Sequence, residues 1–517
     1  MGRLGLDQST DRARYIRIAG EIRGRILRGE IPEGQRLPTT RAMARRTKVN
    51  RNTVVAAYHK LAEWGFARSH VGRGTFAVRP AEPSPERRPE PAPEPASPRL
   101  PARGTPPWEG AFSRALGGRR GASVPAVPAR TGSARAISLA GSFPASDLLP
   151  ARGLLAALEA TVREGASEVL AYTPALGYPP LREWIAGDMS RRGIPAVPEE
   201  ILITNGSQQA IDLIARALVD PGDTVLIENP TYTGAISVFE SVGARLSGLP
   251  LDEEGIAPGA VARAAARGRA KLLYATPTLH NPTTASLSLP RRRALLEEAS
   301  EAGLLVIEDD WAGGLRFEGD DPPTLRALDS ESRVIYLSTF AKKLIPGLRI
   351  GWIAAAREVV ERLAVLKQIS DCCSSALVQA ALVEFCRTGD LDRHLRRIRA
   401  AYLTRRDRML AALRRHAPAR VTWSEPAGGL FLWVRLPAGV DTAAIQAEAE
   451  ARGVLISVGD PFYIEGRGPA SLRITFASAR PAEIDRGIQI LGTILKKQLS
   501  AADRRRTGAA LGAVPLV

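Results

Sequence analysis

The residues most able to do covalent chemistry stand in Ser338-Thr339-Phe340-Ala341-Lys342-Lys343-Leu344-Ile345-Pro346-Gly347-Leu348-Arg349-Ile350-Gly351. A lysine amine condenses with an aldehyde to form a Schiff base; a guanidinium stays protonated and cannot attack. Positive charge in this chain is written mostly as arginine, with eight lysines among its 71 Lys and Arg residues. A lysine inside an apolar stretch is then a candidate nucleophile, although Lys496-Lys497 shows that lysine pairs also serve as surface charge. The stretch follows Val334-Ile335-Tyr336-Leu337, a β-branched and apolar run that reads as a buried strand.

That strand needs neighbours. Strand-like runs at 201–204, 225–228, 271–275, 304–308 and 334–337 alternate with helical patterns, which implies a mostly parallel sheet flanked by helices, an α/β domain. Ligands of such sheets sit at the carboxyl ends of the strands, so the residues just past each run are the candidates. After the first stands Asn205-Gly206-Ser207-Gln208-Gln209, a Gly-Ser turn opening a helix and hence an anion site. After the others stand Asn229-Pro230-Thr231-Tyr232-Thr233-Gly234, Thr276-Pro277-Thr278-Leu279-His280-Asn281-Pro282-Thr283 and Glu308-Asp309-Asp310-Trp311. Three further segments complete the set: Gly141-Ser142-Phe143-Pro144, Tyr172-Thr173-Pro174-Ala175-Leu176-Gly177 and Leu472-Arg473-Ile474-Thr475-Phe476.

In their order these segments resemble the fold-type I aminotransferases, whose lysine motif reads S-[FT]-[SA]-K-x-x-x-P-G-x-R-x-G. The resemblance implies pyridoxal 5'-phosphate as cofactor, with Lys342 as the lysine of the internal aldimine. It implies Thr339, Arg349, Ser207 and Gln208 at the phosphate, a stacked ring in Tyr232, and Asn281 at the phenolate oxygen. Asp309 matches the carboxylate that keeps the pyridine nitrogen protonated, and a protonated ring withdraws electrons better. Tyr172 matches a tyrosine that reaches the partner subunit's phosphate, and Arg473, with the entry at Gly141, would hold a substrate or effector carboxylate. Three positions depart from the pattern. Trp311 replaces a tyrosine that donates to the phenolate, where an indole N–H still donates but cannot exchange its proton; Thr284 replaces a glycine, and Ala341 a serine.

The chain opens on a different kind of module. Up to Arg79 it carries 17 Lys and Arg against 6 Asp and Glu, a net +11 of the total +17. Such asymmetry points to a nucleic-acid-binding first module and a nearly balanced remainder. Tyr15, Ile18, Ile22 and Ile26 recur at helical spacing, Thr39 or Thr40 caps a second helix, and a third runs from Arg51 to Trp64. Two short extended runs joined by Val71-Gly72-Arg73-Gly74 complete a winged helix-turn-helix. The pattern from Leu37 to Gly65 resembles the GntR family signature. In that family the DNA-contacting positions match Arg41, Asn50, Arg51, Asn52 and Thr53, with Gly72 and Arg73 on the wing.

The expected organisation is a winged helix over residues 12–79, a Pro- and Arg-rich linker over 80–133, a cofactor domain over 134–500 and a disordered tail over 501–517. No apolar run of membrane-spanning length and no secretory signal is visible, and Cys372, Cys373 and Cys386 make neither a disulfide framework nor a metal site, so the cytoplasm is expected. A GntR module joined to an aminotransferase-like domain is the architecture of the MocR-type regulators. The resemblance implies a regulator that senses pyridoxal phosphate, or an amino compound joined to it as an aldimine, and acts as a homodimer on repeated half-sites of double-stranded DNA. The alternative is an active aminotransferase of aminoadipate or aromatic type with an accessory DNA-binding module.

Overall fold

The computed structural model describes residues 8–70, 74–79 and 136–511. The linker expected over 80–133, and the wing tip with Gly72 and Arg73, lie outside the described residues. The chain divides into two compact units, Met1–Pro106 and Pro107–Val517.

In the first unit α1 (Gln8–Leu27), α2 (Thr40–Thr47) and α3 (Arg51–Glu63) precede β1 (Ala67–His70) and β2 (Gly74–Ala77), an antiparallel pair with Ala67 opposite Ala77. Thr39 caps α2 by accepting from the Ala42 N–H at 3.3 Å, and Lys48 ends it in the left-handed conformation, φ 52°. Asn50 then caps α3, its side chain accepting from the Asn52 N–H at 3.0 Å. The turn between the two helices is thus set by a cap on each side of the single residue Val49. Ile18, Ile22, Ile26, Val54, Tyr58, Leu61 and Phe66 form the core, and the Tyr58 hydroxyl donates to the Pro38 carbonyl at 2.6 Å.

The second unit is built on an eight-stranded sheet. The strands of the unit, those outside this sheet included, are β3 (Ile137–Ser138), β4 (Ile201–Thr204), β5 (Thr224–Asn229), β6 (Arg245–Asp252), β7 (Gly255–Ile256), β8 (Ala270–Ala275), β9 (Leu305–Asp310), β10 (Val334–Thr339), β11 (Gly351–Ala354), β12 (Thr422–Trp423), β13 (Phe431–Arg435), β14 (Val454–Leu455), β15 (Ser457–Val458) and β16 (Ser471–Thr475). The order is β4-β11-β10-β9-β8-β5-β6-β7. Strands β10, β9, β8, β5 and β6 run parallel; β11 runs antiparallel to both of its neighbours, which leaves β4 pointing the same way as β10. The carboxyl ends of β4, β5, β8, β9 and β10 therefore share one edge.

Burial follows the two-residue period of a strand. Leu272 and Tyr274 of β8 pack with the helices Ser207–Leu218 and Thr233–Ser241 on one face, while Leu273 and Ala275 pack against the helix Leu289–Glu301 on the other. A second, antiparallel sheet of order β12-β13-β16-β15 packs with the helices Asp390–His416 and Pro481–Leu511, and β3 pairs with β14. The last helix continues past the expected domain end at 500, to Leu511, with Ala502 buried and Asp503 paired with Arg420 at 2.9 Å, while the rest of the tail expected as disordered, 512–517, lies outside the described residues. No helix among the described residues is long and apolar enough to cross a membrane.

Candidate functional site

The shared edge gathers the reactive residues. The Lys342 amine, delivered by the loop after β10, donates to the Ser142 carbonyl at 3.0 Å and lies 5.4 Å above the Phe143 ring. Burial, joined by the charges of Arg473 and Arg349, lowers its pKa to about 8, with Asp309 acting in the opposite sense. A larger fraction is then neutral and nucleophilic near neutral pH than for an exposed lysine. Gly141 turns the entry segment with φ 78°, and a Cβ there would stand 2.8 Å from the Phe143 ring. The adjacent Lys343 is a different object: buried, it lies 4.8 Å from the Trp352 ring and 5.3 Å from that of Phe340.

Two aspartates end β9, and their surroundings separate them. Asp310 is held by Tyr336 at 2.5 Å and Arg192 at 2.9 Å, so its needs are met within the protein. Asp309 accepts from the Tyr274 hydroxyl through Oδ2 at 2.5 Å, while its Oδ1 is buried with no hydrogen-bond partner among the described residues. Burial raises its pKa to about 7, against the effect of the Tyr274 hydrogen bond. A buried carboxylate oxygen without a partner calls for a donor. A protonated ring nitrogen is such a donor.

Opposite lies an anion cradle. No side chain caps the helix Ser207–Leu218, which opens after Gly206 at φ 87°. Arg349 reaches across this end and donates to the Asn205 carbonyl at 2.9 Å; a Cβ on residue 206 would stand 2.7 Å from that guanidinium nitrogen. Helix N–H groups and a guanidinium converge where only glycine leaves room, as a phosphate requires. Gln208 accepts from the Tyr232 hydroxyl at 2.9 Å and donates to the Gly234 carbonyl at 3.1 Å, which fixes the Tyr232 ring. Behind the cradle Asp371 accepts from Asn205 at 2.5 Å and Gln209 at 2.7 Å and pairs with Lys367 at 2.9 Å. Nothing in the sequence pattern marked Asp371, because Asn205 and Gln209 are distant along the chain and only Lys367 is near it.

On β16 the Arg473 guanidinium is buried between the Phe431 and Phe462 rings, at 4.9 and 4.7 Å, and donates to Asn281 Oδ1 at 2.9 Å. Its Nε has no partner among the described residues, and burial lowers its pKa to about 10. A buried cation lacking a carboxylate is suited to receive one from a ligand. Asn281 keeps its amide nitrogen as a donor.

Three expectations change on contact with the structure. The Trp311 indole donates to the Leu279 carbonyl at 3.1 Å and its ring stacks on Phe431 at 5.4 Å, so it is a buried core residue whose only donor is already used. The Thr339 hydroxyl donates to the Ile350 carbonyl at 3.1 Å and accepts from the Ala341 N–H at 3.0 Å, which commits it to the loop instead of to an anion. Thr53 is buried at 6 % exposure within the first unit, whereas Arg41, Asn50, Arg51 and Asn52 are exposed. Arg41 and Arg51 form no ion pair among the described residues, as a face awaiting phosphates would have it. Tyr172 touches none of this site within its own chain and is 89 % exposed.

The comparisons with known proteins agree with both units. Residues 145–491 match the model for aminotransferase class I and II, and residues 14–77 match that for the bacterial regulatory proteins of the gntR family. The chain is 30 % identical to an uncharacterized HTH-type transcriptional regulator, YdfD, of Bacillus subtilis, over 94 % of this chain and 97 % of that protein. It is likewise 30 % identical to the probable rhizopine catabolism regulatory protein MocR of Rhizobium meliloti, over 94 % and 95 %. Among solved structures, LysN, the α-aminoadipate aminotransferase of Thermus thermophilus complexed with N-(5'-phosphopyridoxyl)-L-leucine, superimposes with a TM-score of 0.71 at 35 % identity, covering 76 % of this chain and 99 % of that one.

Proposed function

The chain belongs to the aminotransferase class I and II family and, through its gntR-family module, to the MocR-type regulators; from that premise we propose that occupancy of the Lys342 site governs how the module binds DNA. When bound, pyridoxal phosphate supplies an aldehyde for primary amines and a ring that withdraws electrons from them. The Lys342 amine is the group that would hold the cofactor covalently. Arg349 and the helix opening at Ser207 and Gln208 would hold its phosphate, Asp309 Oδ1 would accept from a protonated ring nitrogen, Tyr232 would cover the ring and Asn281 would donate to its oxygen. Arg473 then binds the carboxylate of an amino compound entering past Gly141. The single observation that carries this reading is the unsatisfied Asp309 Oδ1 on the same edge as the lysine amine.

DNA is read by Arg41, Arg51 and Asn52, with Asn50 setting the start of α3. The linker 80–133 ties this module to a segment that resumes at 136 and enters the site at Ser142, whose carbonyl takes the Lys342 amine. Filling the site changes that contact, which gives occupancy a route to the linker. A homodimer is supported by Tyr172 and by Leu170 and Ile369, which are 67 % and 72 % exposed although apolar. The cytoplasm, where DNA and cofactor meet, is the compartment this function requires.

The second reading, an active aminotransferase, is favoured by Arg473 and by the likeness to LysN. Against it stands Trp311, which brings no proton-exchanging hydroxyl to the cofactor and spends its N–H on Leu279. DNA affinity measured with and without pyridoxal phosphate and candidate amino acids, beside steady-state transamination on the same preparation, separates the two. A responsive affinity with slow turnover supports the regulator; an unresponsive affinity with fast turnover supports the enzyme.

A further inference from the structure

The Asp309 carboxylate has one side-chain donor, Tyr274, beside a weaker contribution from the Trp311 backbone N–H. Tyr274 is wholly buried on β8 and donates its hydroxyl to Asp309 Oδ2 at 2.5 Å, with the Phe239 ring edge-on at 6.0 Å. Among its charged neighbours Asp310 and Glu228 oppose its ionisation, as its burial does, while the Lys342 amine, whose own pKa Asp309 raises, favours it. The Tyr274 hydrogen bond is the largest influence in the other direction. Tyr274 itself keeps its proton, since burial and the adjacent carboxylate push its hydroxyl well above the ordinary range. The neighbouring Asp310, by contrast, has the Arg192 cation as well as a phenol.

We propose that Tyr274 is a positioning residue for the cofactor, whose hydroxyl holds Asp309 as a carboxylate with Oδ1 presented to the pyridine nitrogen, and so sets the proton on that nitrogen. A phenol donating to one oxygen favours the charged form and fixes which oxygen remains. The inference rests on the reading of this site as one for pyridoxal phosphate, and nothing in the sequence marks Tyr274 beyond a place in an apolar strand.

The test uses the full chain reconstituted with pyridoxal phosphate carrying 15N in the ring, read by NMR across the neutral pH range, together with the cofactor's dissociation constant. Tyr274→Phe removes the hydroxyl alone. The expected result is a resonance moved toward the unprotonated ring and a dissociation constant raised on the order of ten-fold, as for the loss of a hydrogen bond to a charged group. In an Asp309→Asn background the same change should move neither reading, which a purely structural role of the phenol would not predict. If Tyr274→Phe does not fold, 3-fluorotyrosine placed at 274 keeps the hydroxyl and donates more strongly, so the resonance should move further toward the protonated ring. A wild-type resonance and affinity in Tyr274→Phe, or no shift with fluorotyrosine, overturns the inference alone. Failure of the wild type to bind the cofactor overturns the underlying reading with it.

Discussion

Thr284 adopts φ 67°, the left-handed region in which a β-branched side chain is strained, and it does so in the loop that carries Asn281. The sequence flagged this position as a departure from glycine; the backbone angle supplies the reason glycine suits it. Thr284→Gly should raise the unfolding free energy by about 1 kcal/mol, measured with urea; an unchanged midpoint would mean that the loop relaxes around threonine at no cost. At Lys342, burial and then the Arg473 and Arg349 charges bring the amine to a pKa of about 8. Only the neutral amine attacks, so the rate of condensation with pyridoxal phosphate should climb with pH through about 8 and level off above it. Arg473→Gln removes a like charge and should move the midpoint upward. Lys342 and Asp309 were legible because their chemistry restricts the residue type and because their motifs are long. Trp311, Thr339 and Tyr274 were not, because the direction in which an N–H or hydroxyl points is decided by the fold: the Trp311 indole reaches Leu279, and the Thr339 hydroxyl turns back to Ile350.

Among the elements, the strand 201–204 appears with its expected bounds, those expected at 225–228, 271–275 and 334–337 appear a residue or two longer, and that expected at 304–308 starts one residue later and ends two later, at Leu305–Asp310. Buried strands advertise themselves by continuous apolar runs. Strand β11 was not anticipated, since Gly351-Trp352-Ile353-Ala354 is short and opens on a glycine whose Cβ would meet the Gly206 backbone at 2.8 Å. The last helix was missed for the opposite reason: its final turns are rich in Arg and Ala, and their order depends on Ala502 and on the Asp503–Arg420 pair. In the first unit Thr39 and Asn50 cap α2 and α3, which places Arg41 and Arg51 in the exposed first turns of the two helices. Arg51→Ala should cost about 1–3 kcal/mol of specific DNA binding if it reads a base, and each lost phosphate contact should lower the salt slope by about one. An unchanged affinity and salt slope in the double variant Arg41→Ala, Arg51→Ala would show that this face is only solvated.

For the whole molecule, exposed Tyr172, Leu170 and Ile369 give the second unit apolar surface that a symmetric partner would cover. Ile369→Asp should shift the sedimentation of the full chain toward the monomer; a variant as dimeric as the wild type would place the interface elsewhere. If the chain is a dimer as proposed, two tethered modules would make the second DNA contact intramolecular, and a repeated half-site should bind far more tightly than a single one. An effector can alter that binding only through a difference in its affinity for two arrangements of the molecule. The measurement that bears most directly on the coupling is DNA affinity under an amino-acid titration, before and after borohydride fixes pyridoxal phosphate to the chain, with the adduct located by mass spectrometry. The expected result is an adduct on Lys342 and a DNA affinity that responds to the amino acid before reduction and no longer responds after it. An adduct on Lys343, or a response that survives the locked lysine, would contradict the account.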